Sequence, residues 1–216
     1  WVPATESTYR KDTSFPGVTP TGDDILPKGI TDETVDIVKY GGFYIGRYEA
    51  GVPDGDTIPS NKTGIPVSKK GAAVWTNIDY TNSKASAESM ISNKYVQTGL
   101  ITGTAWDTVC HWIKSDDELK DSRTYGNYNN SEAPANVTGY GTKQVAGYSD
   151  KWMVKNIYDL AGNVWEWTSE ADSSYFINRG GSDIRDGSDY PVSYRDRNNA
   201  SRTFGNVGFR PRLYIK

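Results

Sequence analysis

A single cysteine and a single histidine stand side by side in this chain, at Cys110 and His111. A thiolate beside an imidazole is the arrangement of a cysteine nucleophile, and both side chains also bind soft metal ions. The helical pattern around them argues against both uses. Trp106, Cys110 and Ile113 fall on one helix face, and adjacent helix residues do not face each other. We therefore expect Cys110 in the core and His111 about 100° around the helix.

Glu166 is the second residue with chemical potential, because its neighbours predict that it is buried. The segment 164–168 has the composition of a strand, and Trp165 and Trp167 share one face of it. A buried carboxylate requires a cation or hydrogen-bond donors. An arginine, backbone amides or a hard metal ion would each satisfy it, and we favour an arginine or amides.

The segment 183–206 has the residue types of a recognition surface. Its tyrosines and phenylalanine offer contact area at low entropic cost, and its asparagines and serines offer adaptable hydrogen bonds. Its aspartates and arginines add charges that select partners. The alternative is a solvated loop with incidental aromatic residues. The candidate ligand-binding residues are Asp183, Arg185, Asp186, Ser188, Asp189, Tyr190, Tyr194, Asp196, Asn198, Asn199, Arg202, Phe204 and Asn206.

Four motifs in order along the chain resemble the formylglycine-generating (sulfatase-modifying factor) family. They are a strand at 42–49 ending in Tyr-Glu, GNVWEW at 162–167, RGGS at 179–182 and GFR at 208–210. The resemblance implies an α+β, C-type-lectin-like fold that is rich in loops, with two short helices and small antiparallel sheets. We assign Arg179, Arg195 and Arg210 to this scaffold and expect one of them to pair with Glu49 or Glu166.

The metal-binding residues of the catalytic family members are missing from this sequence. Those members bind copper through a cysteine pair placed after RGGS, whereas no cysteine follows Cys110 in this chain. A soft Cu(I) site needs thiolates. A related branch of the family binds non-haem iron through three histidines. We therefore expect that the protein is not an enzyme and requires no cofactor. The alternative is that it is a degenerate or unusual formylglycine-generating-type oxidase.

The resemblance also implies one structural metal site. Glu166 and the backbone carbonyls of Ala161, Gly162 and Val164 would supply the hard oxygen ligands that calcium prefers. This calcium site competes with satisfaction of Glu166 by an arginine or amides.

The composition of the last fifth of the chain indicates a subgroup of this fold. No Lys, Glu, Gln, Met or Trp occurs in the 45 residues 171–215, and an AAY codon mutated at its adenines cannot encode these types. The chain resembles the variable proteins of diversity-generating retroelements and related phage-displayed proteins, which place such codons near the C-terminus. The resemblance implies a protein or surface-receptor ligand and a place on a virion or cell surface. The alternative is a fixed ligand-binding loop.

The remaining sequence sets the frame for these residues. Residues 1–33 are polar and rich in Pro, Gly and Thr, which predicts an arm or linker before a domain at 34–216. We expect helices over 84–91 and 104–113. A net charge of -3 and a pI near 5.3 argue against a nucleic-acid partner. Neither a membrane-spanning run nor a secretory leader is expected from the sequence.

Overall fold

The computed structural model describes residues 1–56, 61–132 and 138–216. Within them the chain forms short helices and strands joined by long loops, and the fold is α+β. The helices are α1 (Glu33–Tyr40), α2 (Tyr80–Ser89) and α3 (Gly103–Ile113). The strands are β1 (Val2–Pro3), β2 (Gly42–Ile45), β3 (Val96–Leu100), β4 (Met153–Val154), β5 (Ile157–Tyr158), β6 (Trp165–Asp172), β7 (Tyr175–Arg179), β8 (Asp196–Asn199), β9 (Val207–Phe209) and β10 (Pro211–Ile215).

Side-chain caps explain where the helices begin. The Asp79 carboxylate accepts the N–H of Asn82 at 2.8 Å, so α2 starts four residues before the predicted position. Thr102 Oγ1 accepts the N–H of Ala105 at 3.1 Å and starts α3 close to the predicted residue 104. Helix α1 is a third helix that the sequence reading did not predict, and Asp32 caps it.

Three sheets hold the strands. One has the order β1-β2-β10-β3 and a second has the order β8-β7-β6-β9, while β4 and β5 form a two-stranded ribbon. Every pairing of named strands is antiparallel except that of β6 with β9, which is parallel. Strand β6 is longer than the predicted 164–168, and β2 ends at Ile45 although the sequence suggested a strand to residue 49.

Two large apolar clusters and one small one, formed by Val74, Ala146 and Val164, fill the interior of the described part of the chain. The first surrounds α3 and contains Trp106 and Cys110, both fully buried. The second lies on β6 and contains Trp165 and Trp167, which confirms that the two tryptophans share a core-facing side of one strand. Within the described ranges no helix is both long and apolar enough to span a membrane.

The first 33 residues pack closely against the rest of the chain. Val2 and Tyr9 are buried in the first cluster, and β1 pairs with β2. The Asp24 carboxylate accepts the N–H groups of Gly103 and Thr104 at 2.8 and 3.0 Å, at the start of α3. This segment therefore contributes core residues and a helix cap as well as surface, while the domain boundary at residue 33 stays a prediction.

Candidate ligand-binding face and its buried supports

Two consecutive glycines turn the chain out of β7 into the candidate segment. Gly180 and Gly181 have φ values of 95° and 77°, a region that favours glycine. A Cβ on Gly181 would lie 2.5 Å from the ring of Tyr128 and 2.6 Å from the carbonyl oxygen of Tyr190. The Tyr128 hydroxyl also donates to the Gly180 carbonyl at 2.7 Å. The RGGS motif therefore fixes the direction in which the segment leaves the sheet.

Four charged side chains that are fully buried hold the segment from below, and we call Asp107, Glu170, Arg179 and Arg195 the buried quartet. Arg195 Nε donates to Glu170 at 3.0 Å, and both arginines donate to Asp107. The Arg195 backbone also bonds the N-terminal segment, because its N–H donates to the Pro16 carbonyl at 2.8 Å. Arg195 is thus scaffold, as predicted, and it anchors the middle of the segment.

The neighbours of Arg195 divide between the interior and the surface. Val192 is fully buried and its N–H donates to the Ser122 hydroxyl at 2.9 Å. The Ser193 hydroxyl is buried and donates to the Leu119 carbonyl at 2.7 Å. The expectation of one exposed face over 183–206 is therefore wrong for these positions, which belong to the scaffold.

Asp183 is a further correction, because only 5% of it is exposed. Its N–H donates to the Asn163 carbonyl at 3.1 Å, so the first residue after the RGGS turn still lies beneath the surface. Burial raises the pKa of its carboxyl group. We remove Asp183 from the candidate ligand-binding set.

Three aromatic residues of the segment are half-buried, and we call Tyr190, Tyr194 and Phe204 the aromatic patch. All three pack against the second apolar cluster. The Trp165 ring lies 6.1 Å from the ring of Tyr190 and 6.1 Å from that of Tyr194, and the two tyrosine rings are 4.9 Å apart. The core strand β6 therefore supports the patch from below.

Nine polar residues of the same segment complete the candidate set, and we call them together with the aromatic patch the binding face. Arg185, Ser188, Asp189, Asn199 and Arg202 are exposed, and Asp186, Asp196, Asn198 and Asn206 are half-buried.

Several of these polar residues also support the fold. Asp186 accepts the N–H and hydroxyl of Ser188 at 2.8 and 2.6 Å, and these bonds lower the pKa of Asp186 to about 2. Asn198 donates to Asn178 at 2.6 Å. Asn206 donates to the Ser182 hydroxyl at 3.2 Å. Arg185, Asp189 and Arg202 have no such side-chain bonds in the described part of the chain.

Glu166 pairs with an arginine, as the sequence reading favoured. Arg210 Nε lies 3.1 Å from each carboxylate oxygen, and Arg210 Nη2 lies 2.7 Å from Oε1. The same guanidinium donates to the carbonyls of Gly46 and Tyr158 at 3.0 and 2.9 Å. Burial raises the pKa of Glu166, and the charge of Arg210 opposes this shift.

The proposed calcium ligands do not fit an ion in this arrangement. Both oxygens of Glu166 already accept hydrogen bonds from Arg210, whose positive charge would repel a cation. The Ala161 carbonyl accepts the N–H of Asn127 at 3.2 Å. The described residues therefore favour the arginine over the metal at this position.

Two further buried carboxylates lie beside this pair, of which the sequence analysis named Glu49 as a possible arginine partner and missed Asp159. Glu49 and Asp159 are buried, and each has one oxygen without a partner among the described residues. Asn163 donates to Glu49 at 2.7 Å, and the N–H of Gly147 donates to Asp159 at 2.6 Å. Burial raises the pKa of Glu49 well above its usual range, and the charges of Asp159 and Glu166 add to this shift.

Cys110 and His111 lie apart, as expected. Cys110 is fully buried in the first cluster, and burial raises the pKa of its thiol to about 12. His111 is exposed, with Nε2 2.8 Å from Asp12 and Nδ1 3.2 Å from Asp116. Across the described residues no cluster of three or more His, Cys, Asp or Glu side chains has an arrangement that would hold a metal ion.

Several solved structures are similar to this chain. The crystal structure of CarF aligns with a TM-score of 0.49 and 20% identity, covering 94% of this chain and 97% of CarF. PvdO from Pseudomonas aeruginosa aligns with a TM-score of 0.49 and 18% identity, covering 80% of each chain. Treponema denticola variable protein 1 aligns with a TM-score of 0.38 and 18% identity, covering 96% of this chain and 77% of that protein.

The search of curated proteins returned no match. The family comparison, in contrast, matches residues 84–212 to the sulfatase-modifying factor enzyme 1-like domain. This match spans more than half of the chain and includes α3, the buried quartet, the binding face and Arg210. The loop-rich α+β architecture is of the C-type-lectin-like type that the sequence motifs implied. The chain therefore belongs to the sulfatase-modifying factor enzyme 1-like domain family.

Proposed function

We propose that this protein is a non-catalytic member of its family that binds a protein or surface-receptor ligand through the binding face. The proposal rests on one observation, the separation of residues 183–206 into buried and exposed positions. Buried residues such as Val192 and Arg195 hold the backbone, while their neighbours present an aromatic centre within a polar surround. Protein interfaces have this anatomy, with aromatic anchors at the centre and polar residues at the edge.

Two observations favour binding over oxidation. The one cysteine of the chain is fully buried, and the raised pKa of its thiol disfavours the thiolate that would ligate copper. Residues after the RGGS turn supply carboxylates, hydroxyls and rings, which are poor ligands for Cu(I). An oxidase of the formylglycine-generating type remains the alternative. Oxygen consumption with copper and a cysteine-containing peptide would favour it.

A display role on a virion or cell surface is part of the proposal, and its support is the composition of residues 171–215. The absence of five residue types from these 45 residues fits codons mutated at adenines. The neighbouring DNA tests this part. A reverse-transcriptase gene and a near-copy of the 3′ end that differs at adenines would support diversification. A fixed ligand-binding loop would have neither.

Selection from a displayed library of random peptides tests binding. Peptides selected on the immobilised protein are measured against Tyr190→Ala/Tyr194→Ala and against a matched control, Tyr95→Ala/Tyr148→Ala, whose tyrosines are exposed outside the face. We expect the first variant to lose affinity by ~10-fold or more and the control by less than ~2-fold. The proposal would be contradicted if the peptides bound Tyr190→Ala/Tyr194→Ala with unchanged affinity, or if the selection yielded no binder.

A charge variant provides a second binding test in case Tyr190→Ala/Tyr194→Ala misfolds. Arg185→Glu/Arg202→Glu changes two exposed side chains that make no hydrogen bonds within the described residues. Thermal melting establishes that each variant is folded before its binding is compared. A folded charge variant with changed peptide affinity would place the ligand on the same face.

A further inference from the structure

We propose that the binding face takes a basic side chain of its protein partner, an arginine or a lysine, between the aromatic patch and Asp196. This inference rests on the proposed function and adds the chemical class of the group that the face recognises. It follows from the position of Asp196, from its lack of a counter-ion and from the rings beside it.

The backbone brings Asp196 to the aromatic patch. Arg195 points into the buried quartet, so Tyr194 and Asp196 on either side of it point outward together. Asp196 begins β8 and pairs with Asn178 of β7, which fixes its height on the sheet. Burial and the charge of Asp196 raise the pKa of Tyr194, which places the carboxylate near the Tyr194 hydroxyl.

Asp196 is half-buried and forms no salt bridge within the described residues. No lysine or arginine nitrogen of the described residues lies within 4.0 Å of its carboxylate. The hydrogen bond found for the carboxylate comes from the N–H of Arg197 at 2.9 Å. Burial raises the pKa of Asp196, and the N–H of Arg197 and the more distant charge of Arg185 oppose this shift without a salt bridge to the carboxylate. A cation that arrives with a ligand would form that salt bridge.

The rings beside Asp196 favour the same ligand group. Tyrosine faces attract ammonium and guanidinium groups that lie within about 6 Å of the ring centre. The guanidinium of Arg185 already lies 5.0 Å from the centre of the Tyr190 ring. The Tyr194 ring and the Asp196 carboxylate together offer a second position of this kind, and a ligand arginine matches both.

The other charged residues of the binding face are compatible with a basic ligand group. Arg197 is paired with Asp172 at 2.7 Å, so it does not neutralise Asp196. Arg185 and Arg202 are exposed, and Asp189 is a further exposed carboxylate. A ligand carboxylate beside Tyr194 would meet Asp196 in a partly desolvated position, where repulsion between like charges is strongest. The electrostatics therefore disfavour an acidic anchor.

Two small probes that differ in one charge test the proposal. N-acetyl-arginine amide and the isosteric, uncharged N-acetyl-citrulline amide are titrated into isotopically labelled protein at constant ionic strength, and backbone amide shifts are recorded. Weak binding requires concentrations up to about 50 mM, since a millimolar Kd corresponds to roughly 4 kcal/mol. We expect saturable shifts in residues 190–204 with arginine and at least ~10-fold weaker binding of citrulline.

A matched pair of variants places the charge. Asp196→Asn and Asp189→Asn each remove one carboxylate from the same face. We expect Asp196→Asn to weaken arginine binding by ~10-fold and Asp189→Asn by less than ~3-fold. Equal binding of both probes, equal effects of both variants or shifts outside the face would overturn the inference.

The proposed function and the inference of a basic ligand group can be refuted by different results. If selected peptides bind the face but need no basic residue, the proposed function stands and this inference is wrong. If no peptide binds the face, the proposed function fails first. Selected peptides that need a basic residue, together with arginine shifts in residues 190–204 that vanish in Asp196→Asn, support both the proposed function and this inference.

Discussion

Replacing Arg195 by methionine tests whether the middle of the candidate segment is scaffold. The side chain is fully buried, donates to Glu170 at 3.0 Å and donates to Asp107. Its removal leaves two buried carboxylates with the single guanidinium of Arg179. Breaking a buried ion pair in this way costs ~3–5 kcal/mol, because one charge is left uncompensated. Lys11 lies 3.8 Å from Glu170 and offsets part of this cost, so we expect a value near the lower limit.

Urea unfolding at neutral pH measures this cost, and Arg202→Met is the matched control. Arg202 lies in the same segment but is exposed, so its replacement is expected to change the free energy of unfolding by less than ~0.5 kcal/mol. The double variant Arg195→Met/Glu170→Gln removes the orphaned carboxylate as well and should recover much of the loss. If Arg195→Met and Arg202→Met unfold at the same urea concentration, the quartet does not stabilise the segment and our reading of it is wrong.

Three further predictions concern the core and the buried acids. Trp167 is fully buried and its Nε1 donates to the Ile78 carbonyl at 3.1 Å, so Trp167→Ala should cost ~3–5 kcal/mol in urea unfolding; a loss below ~1 kcal/mol would contradict its core position. The pKa of Glu49 is raised well above its ordinary value of 4.5, so the folded state retains a proton that the unfolded state releases. Stability should therefore fall as pH rises above 4.5, by at most ~1.4 kcal/mol per pH unit, and Glu49→Gln should flatten this slope in unfolding measurements across pH. An unchanged slope would show that Glu49 keeps an ordinary pKa. Because Arg210 occupies both oxygens of Glu166, the melting temperature should be equal in excess calcium and in chelator, whereas a rise with calcium would restore the metal site.

The sequence was most informative where a local pattern determines the contact. The i, i+4 and i+7 spacing of Trp106, Cys110 and Ile113 predicted one buried helix face, and all three residues are buried. The two-residue spacing of Trp165 and Trp167 predicted their shared core-facing side. Strand alternation and helical periodicity fix which way a side chain points without any knowledge of the remaining chain.

Contacts between distant segments could not be predicted in the same way. The quartet joins Asp107 to Glu170, Arg179 and Arg195, and nothing in the local sequence marks Asp107 as buried. The predicted burial of Glu166 narrowed its partner to an arginine or backbone amides. The sheet was needed to select Arg210, because Phe209 and Trp167 lie opposite each other in the parallel pair β6–β9.

Exposure was the weakest part of the prediction. Asp183 has the polar composition of a surface residue, yet the glycine turn before it keeps the chain beneath the surface. Helix α1 was missed because its face is only weakly apolar, and Val35 and Val38 are exposed. A strongly polar sequence does not show which of its polar residues fold inward, since that depends on partners elsewhere in the chain.

The most direct test of the central claim is a scan of all single substitutions at residues 183–206, read once for protease resistance and once for binding of a peptide selected on the native protein. Our account predicts two separate sets of positions. Substitutions at Val192, Ser193 and Arg195 should lower protease resistance, whereas those at Arg185, Asp189 and Arg202 should leave it unchanged and alter binding. A single set of positions that controls both readouts, or binding that no position in the segment affects, would contradict the claim that this scaffold presents a separable binding face.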